Sequence, residues 1–146
     1  KEFIQHAIEE GVKVFFVTNR GKHNQDHTVR NLRDRFGPMI TSEHVLTQDE
    51  DRGWDADKTS RRTYIGSTHR VLLLIGDNFN DFVYLGEVSP EERVIAARRY
   101  LDYWGEKWIM IPNPMYGSWE RALMQGGGSL FNRRMEEKFE HLETKK

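Results

Sequence analysis

Apolar residues in this chain fall into two patterns, near-continuous runs and stripes at helical spacing, and the two alternate along its length. Val71-Leu72-Leu73-Leu74-Ile75 is unbroken, β-branched at both ends and closed by Gly76-Asp77, which predicts a strand covered on both faces of a parallel sheet. Val12, Val14, Phe15, Phe16 and Val17 form a similar run that stops at Thr18-Asn19-Arg20-Gly21, and Trp108-Ile109-Met110-Ile111 forms a shorter one leading into Pro112. The stripes lie around these runs. Phe3, Ile4, Ala7 and Ile8 precede Gly11; Val29, Leu32 and Phe36 sit between the polar segment Asn24–His27 and Gly37-Pro38; Val94, Ala97, Leu101 and Trp104 precede Gly105. Each predicts a helix with one face on a core. Ser89-Pro90-Glu91-Glu92 marks the start of the last of these, with Ser89 as N-cap, Pro90 in the first turn and Glu92 completing a capping box.

Strand and helix in alternation predict an α/β fold, a parallel sheet with helices on both faces. Between Thr41 and Trp54 only Val45-Leu46 offers a short strand, and Asp49-Glu50-Asp51 reads as a solvated loop. Asp55 or Asp57 is the expected cap of a helix running through Arg61, Arg62, Tyr64 and Ile65. With Asp57 as cap, Lys58 falls in the first turn, where a cation opposes the helix dipole at a cost of roughly 0.3 to 1 kcal/mol. Residues 125–146 are expected to be a turn at Gly126–Ser129 followed by a helix lined by Phe131, Met135, Phe139 and Leu142. That helix packs on the domain or, as the alternative, joins a second copy in a homo-oligomer.

A chain of 146 residues has the length of one domain with a substantial core. Its 22 Lys+Arg against 23 Asp+Glu leave a net charge of -1, so no field of one sign is available for tracking phosphates, and a nucleic acid is not the expected partner. No apolar span reaches membrane length. The lack of cysteine excludes disulfides and thiolate metal sites. The first helical stripe begins at once, with neither an initiator Met nor an N-cap before it, so the expectation is that further sequence precedes Lys1.

In open α/β sheets ligands bind at the carboxyl ends of the strands. Asp77 and Asp81 lie at one such end and suit a hard cation such as Mg²⁺; Thr18-Asn19 and the loop from Pro112 to Trp119 end the other two runs, and Lys58 lies between the first two. A hydroxyl, an amine and two carboxylates at one sheet edge suit phosphoryl transfer, in which the protein positions a phosphate and neutralises its oxygens.

At these residues the sequence resembles the acid phosphatases of the haloacid dehalogenase (HAD) superfamily, in the branch that includes bacterial lipoprotein acid phosphatases and nucleotidases. Phe15-Phe16-Val17-Thr18-Asn19-Arg20 resembles their second motif, Lys58 with Arg61 and Arg62 the third, Gly76-Asp77-Asn78-Phe79-Asn80-Asp81-Phe82 the fourth, and Pro112 to Trp119 the branch's C-terminal signature. The resemblance implies a three-layer Rossmann-like, HAD-like fold and Mg²⁺-dependent hydrolysis of a small phosphomonoester, a nucleotide or an aryl phosphate. It implies that Thr18 and Asn19 hydrogen-bond the transferring phosphoryl group, with Arg20 on the substrate side. Lys58 would neutralise that group and hold the nucleophile, Asp77 would ligate Mg²⁺, Asp81 would support the metal's water shell, and Tyr116 would flank the substrate's ring. It also suggests a cell-envelope location.

The family's first motif, a hydrophobic strand ending in Asp-x-Asp, belongs upstream of Thr18. Asp55-Ala56-Asp57 copies the spelling, but polar Gln48 to Arg52 precedes it, and Asp49-Glu50-Asp51 is rejected likewise. The expectation is therefore a phosphatase domain lacking its N-terminal nucleophile strand, inactive and poorly stable as these residues alone. Two rivals stand beside it: a non-catalytic module that binds metal and phosphate, and a Rossmann-type dinucleotide binder, which is disfavoured because no Gly-x-Gly-x-x-Gly follows a strand.

Overall fold

The computed structural model describes residues 1–86 and 88–123; the turn expected at Gly126–Ser129 and the helix after it lie outside the described residues. Two compact units are formed, Lys1–Arg70 and Val71–Lys146. Parallel strands and helices make the chain α/β, as expected, and no described helix is long and apolar enough to cross a membrane.

In the first unit, helix α1 (Glu2–Glu9) is followed by Gly11 at φ 78°. Strand β1 (Phe16–Gly21) leads through a 3-10 turn at Lys22–Asn24 into helix α2 (Gln25–Phe36). A second 3-10 turn, Ser42–His44, precedes β2 (Val45–Gln48), and α3 (Thr59–Thr68) follows. β1 and β2 pair in parallel, Phe16 opposite Val45 and Val17 opposite Leu46, with an irregularity before Gly21 meets Gln48. Val29, Ile40 and Val45 form the core, joined by Ile8, Phe16, Leu32 and Phe36, so the predicted stripe of α2 faces inward, whereas of the α1 stripe Ile8 joins this core while Phe3 is 56% exposed.

Two expectations are corrected here. The first apolar run was expected to form a strand ending at Thr18, but the strand begins at Phe16 and carries Thr18, Asn19 and Arg20 within it. Pairing sets its extent, because β2 begins opposite Phe16 and no described strand lies beside residues 12–15. Asp49-Glu50-Asp51 is not merely a solvated loop. Glu50 accepts hydrogen bonds from the Thr47 amide (2.9 Å), the Thr47 hydroxyl (3.1 Å) and Gln25 Nε2 (2.9 Å). This is what lets a threonine sit fully buried in β2, since a buried hydroxyl without a partner is costly.

In the second unit, β3 (Leu74–Gly76) pairs in parallel with β4 (Trp108–Met110), Leu74 opposite Trp108 and Gly76 opposite Met110. A 3-10 turn, Phe79–Asp81, follows β3; then come helix α4 (Pro90–Arg98), a 3-10 turn at Leu101–Tyr103, and, after β4, helix α5 (Ser118–Leu123). The capping box forms as predicted, Glu92 N donating to Ser89 Oγ (3.2 Å) and Ser89 N to Glu92 Oε2 (2.8 Å). An aromatic cluster centres on Trp108, with ring centroids of Phe82 at 5.4 Å, Tyr100 at 4.8 Å, Tyr103 at 4.9 Å and Trp104 at 5.3 Å.

The stripe predicted on α4 is not core. Val94 and Leu101 are 51% and 67% exposed, and Ala96 is the buried residue of the helix. The helix stops at Arg98, and Trp104 reaches the cluster from beyond the next turn, its indole donating to Ala97 O (3.1 Å). β3 and β4 are also shorter and more open than runs covered on both faces, with Val71, Leu72, Ile75, Ile109 and Ile111 exposed. Each described sheet has two strands, and a two-stranded ribbon gives each face few neighbouring side chains to cover it.

Candidate functional site

Thr18 and Asn19 lie in the middle of β1, and Lys58 is the N-cap residue of α3. The approach to Lys58 is a ladder of local carboxylate bonds: Asp57 N donates to Asp55 Oδ1 and Thr59 N to Asp57 Oδ1, both 2.8 Å. This corrects the expected cap: neither Asp55 nor Asp57 is the N-cap of α3, Lys58 takes that place and so precedes the first turn, and Asp57 supports the helix start from one residue earlier. Both carboxylates are occupied in a turn and follow no strand, which separates Asp55-Ala56-Asp57 further from a nucleophile motif.

Arg61 ties these segments together. It is fully buried, and its guanidinium donates to Thr18 O (2.5 Å), Asn19 Oδ1 (2.7 Å) and Asp55 O (2.6 Å). Asn19 Nδ2 adds a bond to Ala56 O (2.9 Å). Burial pushes the Arg61 pKa below its ordinary value, and the nearby charges of Asp55 and Asp57 act against that shift; an arginine remains a cation throughout. The structure thus brings Thr18 and Asn19 to the turn that carries Lys58. Arg20 is exposed and directs Nη1 toward Thr28 Oγ1 at 3.4 Å, at the start of α2.

In the second unit, Asp77 follows β3 directly and is exposed. Asp81 Oδ2 accepts from the amides of Asp77 (3.1 Å) and Asn78 (3.0 Å), so the second carboxylate of the pair clamps the backbone that carries the first. Gly76 makes this approach feasible: a Cβ there would lie 2.6 Å from Asp81 Cβ and 2.7 Å from its Oδ2. From the other side Asn113 Nδ2 donates to Asp77 Oδ2 (2.9 Å). Asn78 is held in turn by Ser118, whose Oγ lies 2.5 Å from Asn78 Oδ1 and accepts from Arg93 Nη2 (2.9 Å). Tyr116, on the same loop, is 69% exposed, with its ring open to solvent.

Among the described residues no group of three or more His, Asp or Glu is placed to hold a metal. Asp77 fits as one ligand: it is exposed, strand-terminal and fixed at backbone and side chain, and Mg²⁺ commonly takes one or two carboxylates with waters and phosphate oxygens. Asp81 fits a supporting role, since Oδ2 is committed to two amides.

Sequence reasoning placed Arg61 and Asn113 within motifs but gave neither a task. For Arg61 the available signal is an arginine one turn into a helix that follows an Asp-rich turn. For Asn113 it is an asparagine between Pro112 and Pro114, where an amide side chain bonds its own backbone two residues on.

Comparison with known proteins identifies the family and the fold. The family model for HAD superfamily, subfamily IIIB (acid phosphatase) matches residues 1–119. The structure is similar to that of the class C acid phosphatase from Bacillus anthracis, with 32% identity and a TM-score of 0.79 over 99% of this chain and 59% of that one. With tungstate bound, the crystal structure of that phosphatase gives 31% identity and a TM-score of 0.82 over 95% of this chain and 58% of that one. This chain spans less than two thirds of the length of that phosphatase. The motif order, the parallel α/β framework and these matches together show that the chain belongs to the acid phosphatases of HAD subfamily IIIB.

Proposed function

We propose that the protein containing this chain hydrolyses small phosphomonoesters, aryl phosphates or nucleotides, with Mg²⁺ and through a phospho-aspartate whose nucleophile these residues do not supply. The observation that carries the reading is the double restraint on Asp77, its amide on Asp81 Oδ2 and its carboxylate on Asn113 Nδ2, at the carboxyl end of a parallel strand.

Within the first unit, Thr18 Oγ1 and Asn19 would donate to phosphoryl oxygens, and Lys58 would set its ammonium against the charge that spreads over them. Arg61 holds the first two in register with the third. Arg20 would lie on the substrate side of this unit, and Tyr116 on the substrate side of the second. Within the second unit, Asp77 would ligate Mg²⁺ and Asp81 would keep it aimed. Mg²⁺, when bound, neutralises phosphate charge and polarises the phosphoryl group.

The test is phosphate release from an aryl phosphate and from a nucleoside monophosphate by the full-length protein, with Mg²⁺ and with a chelator. Turnover that requires the metal supports the proposal. Phosphate binding without turnover would replace it with a non-catalytic metal- and phosphate-binding module.

A further inference from the structure

We propose that Asn113 is a positioning residue that couples metal binding at Asp77 to the placement of the substrate-side ring of Tyr116; this rests on the function proposed above. One amide side chain serves both. Its Nδ2 donates to Asp77 Oδ2 (2.9 Å), while its Oδ1 accepts from the amides of Met115 (3.1 Å) and Tyr116 (3.4 Å). Its backbone oxygen accepts from Trp119 Nε1 (3.1 Å). An asparagine between two prolines has little backbone freedom, and here every polar group of its side chain is engaged.

The far end of the loop is fixed to the same place. Ser118 bonds Asn78, the neighbour of Asp77, and Arg93 bonds Ser118 while its guanidinium lies 5.6 Å from the Phe79 ring centroid. Gly117 has no room for a side chain, since a Cβ would meet Trp119 Cδ1 at 2.8 Å and Asn78 Nδ2 at 3.0 Å. The segment from Asn113 to Ser118 is therefore a strap tied at both ends to Asp77-Asn78, with Tyr116 at its exposed middle. A cation that draws on the Asp77 carboxylate acts through Asn113 on the amide that sets the Tyr116 backbone.

The experiment compares wild type, Asn113→Ala and Tyr116→Ala in the full-length protein. Mg²⁺ affinity is measured by calorimetric titration without substrate, and KM is measured for an aryl phosphate and for glycerol phosphate, which has no ring. Asn113→Ala should weaken Mg²⁺ by about 10- to 100-fold, the usual range for losing a partner of a metal ligand, and should raise KM for the aryl substrate more than for glycerol phosphate. Tyr116→Ala should raise only the aryl KM and leave Mg²⁺ affinity unchanged. Mg²⁺ affinity within twofold of wild type in Asn113→Ala overturns the positioning role, and weakened affinity with an unchanged ratio of the two KM values overturns the coupling. Trp119→Phe, which removes the indole donor to Asn113 O, gives the same readout at smaller scale if Asn113→Ala does not fold, and an unaltered profile in it counts against the inference. A wild-type protein that binds no Mg²⁺ and hydrolyses neither ester overturns the proposed function itself.

Discussion

Replacing Arg61 by Met keeps much of the side chain's volume and removes its charge and every donor. Three acceptors then lose their partner at once, Thr18 O, Asn19 Oδ1 and Asp55 O, all inside a site with no measurable exposure at Arg61. A hydrogen bond from a charged donor contributes about 1.5 to 3 kcal/mol, and the sum is offset by the cost of taking the guanidinium out of water. One guanidinium nitrogen, Nε, is buried without a partner and adds to that cost. With each buried neutral acceptor left unpaired costing about 1 to 3 kcal/mol, the net loss should be about 3 to 5 kcal/mol, a large share of a typical domain's ~5 to 15. Arg61→Lys keeps the charge but cannot span three acceptors, so it should fall between the two. Because Asn19 and the turn before Lys58 are released together, kcat/KM should drop by about 10- to 100-fold even where the variant is folded. Urea unfolding gives the stability and aryl phosphate kinetics gives the rate, both on the full-length protein. Arg61→Met within about 0.5 kcal/mol of wild type, with unchanged kinetics, would refute the idea that this arginine holds the two segments together.

Gly76→Ala should push Asp81 off the amides of Asp77 and Asn78, because its Cβ would lie 2.6 Å from that of Asp81; Mg²⁺ affinity measured by titration should fall with activity, and normal affinity would sink the clamp. Lys58→Met should lower turnover by orders of magnitude, and steady-state kinetics within about twofold of wild type would mark it as a surface lysine. Ser89→Ala removes one half of a formed capping box and should cost about 1 kcal/mol by urea unfolding without altering kinetics. His44 has its pKa held below the ordinary value by burial and by the charge of Lys13, with Glu43 opposing, and its Nδ1 accepts from the Thr41 amide. Both states are neutral above the unfolded value near ~6.5, so the stability is fully present there and is lost as pH falls through the folded value; His44→Asn, whose carbonyl can still accept, should flatten that acid-side decline in unfolding measurements.

Much of the framework was legible because burial and period coincide in it. The face of α2 repeats at helical spacing and meets the core, and the Ser89 capping box depends on neighbours in sequence alone. The extent of β1 was not legible, since pairing with β2 decides it and a β-branched run cannot show where its partner starts. The α4 stripe misled for a related reason: Val94 and Leu101 have the right spacing, but the aromatic cluster around Trp108 is assembled from turns instead. In the candidate site Asp77 was expected at a strand's carboxyl end and is found directly after β3, whereas Thr18 was expected at a strand end and lies within β1. What Arg61 and Asn113 do was not legible, because each acts through bonds to residues more than thirty positions away.

The most direct test of the account is Asp77→Asn in the full-length protein, assayed for aryl phosphate hydrolysis across a Mg²⁺ titration, with circular dichroism as the check on the fold. The side chain remains the same size and can still meet Asn113, so the fold should be intact while Mg²⁺-dependent turnover is abolished. Wild-type rates at limiting Mg²⁺ would remove Asp77 from the site and contradict the account.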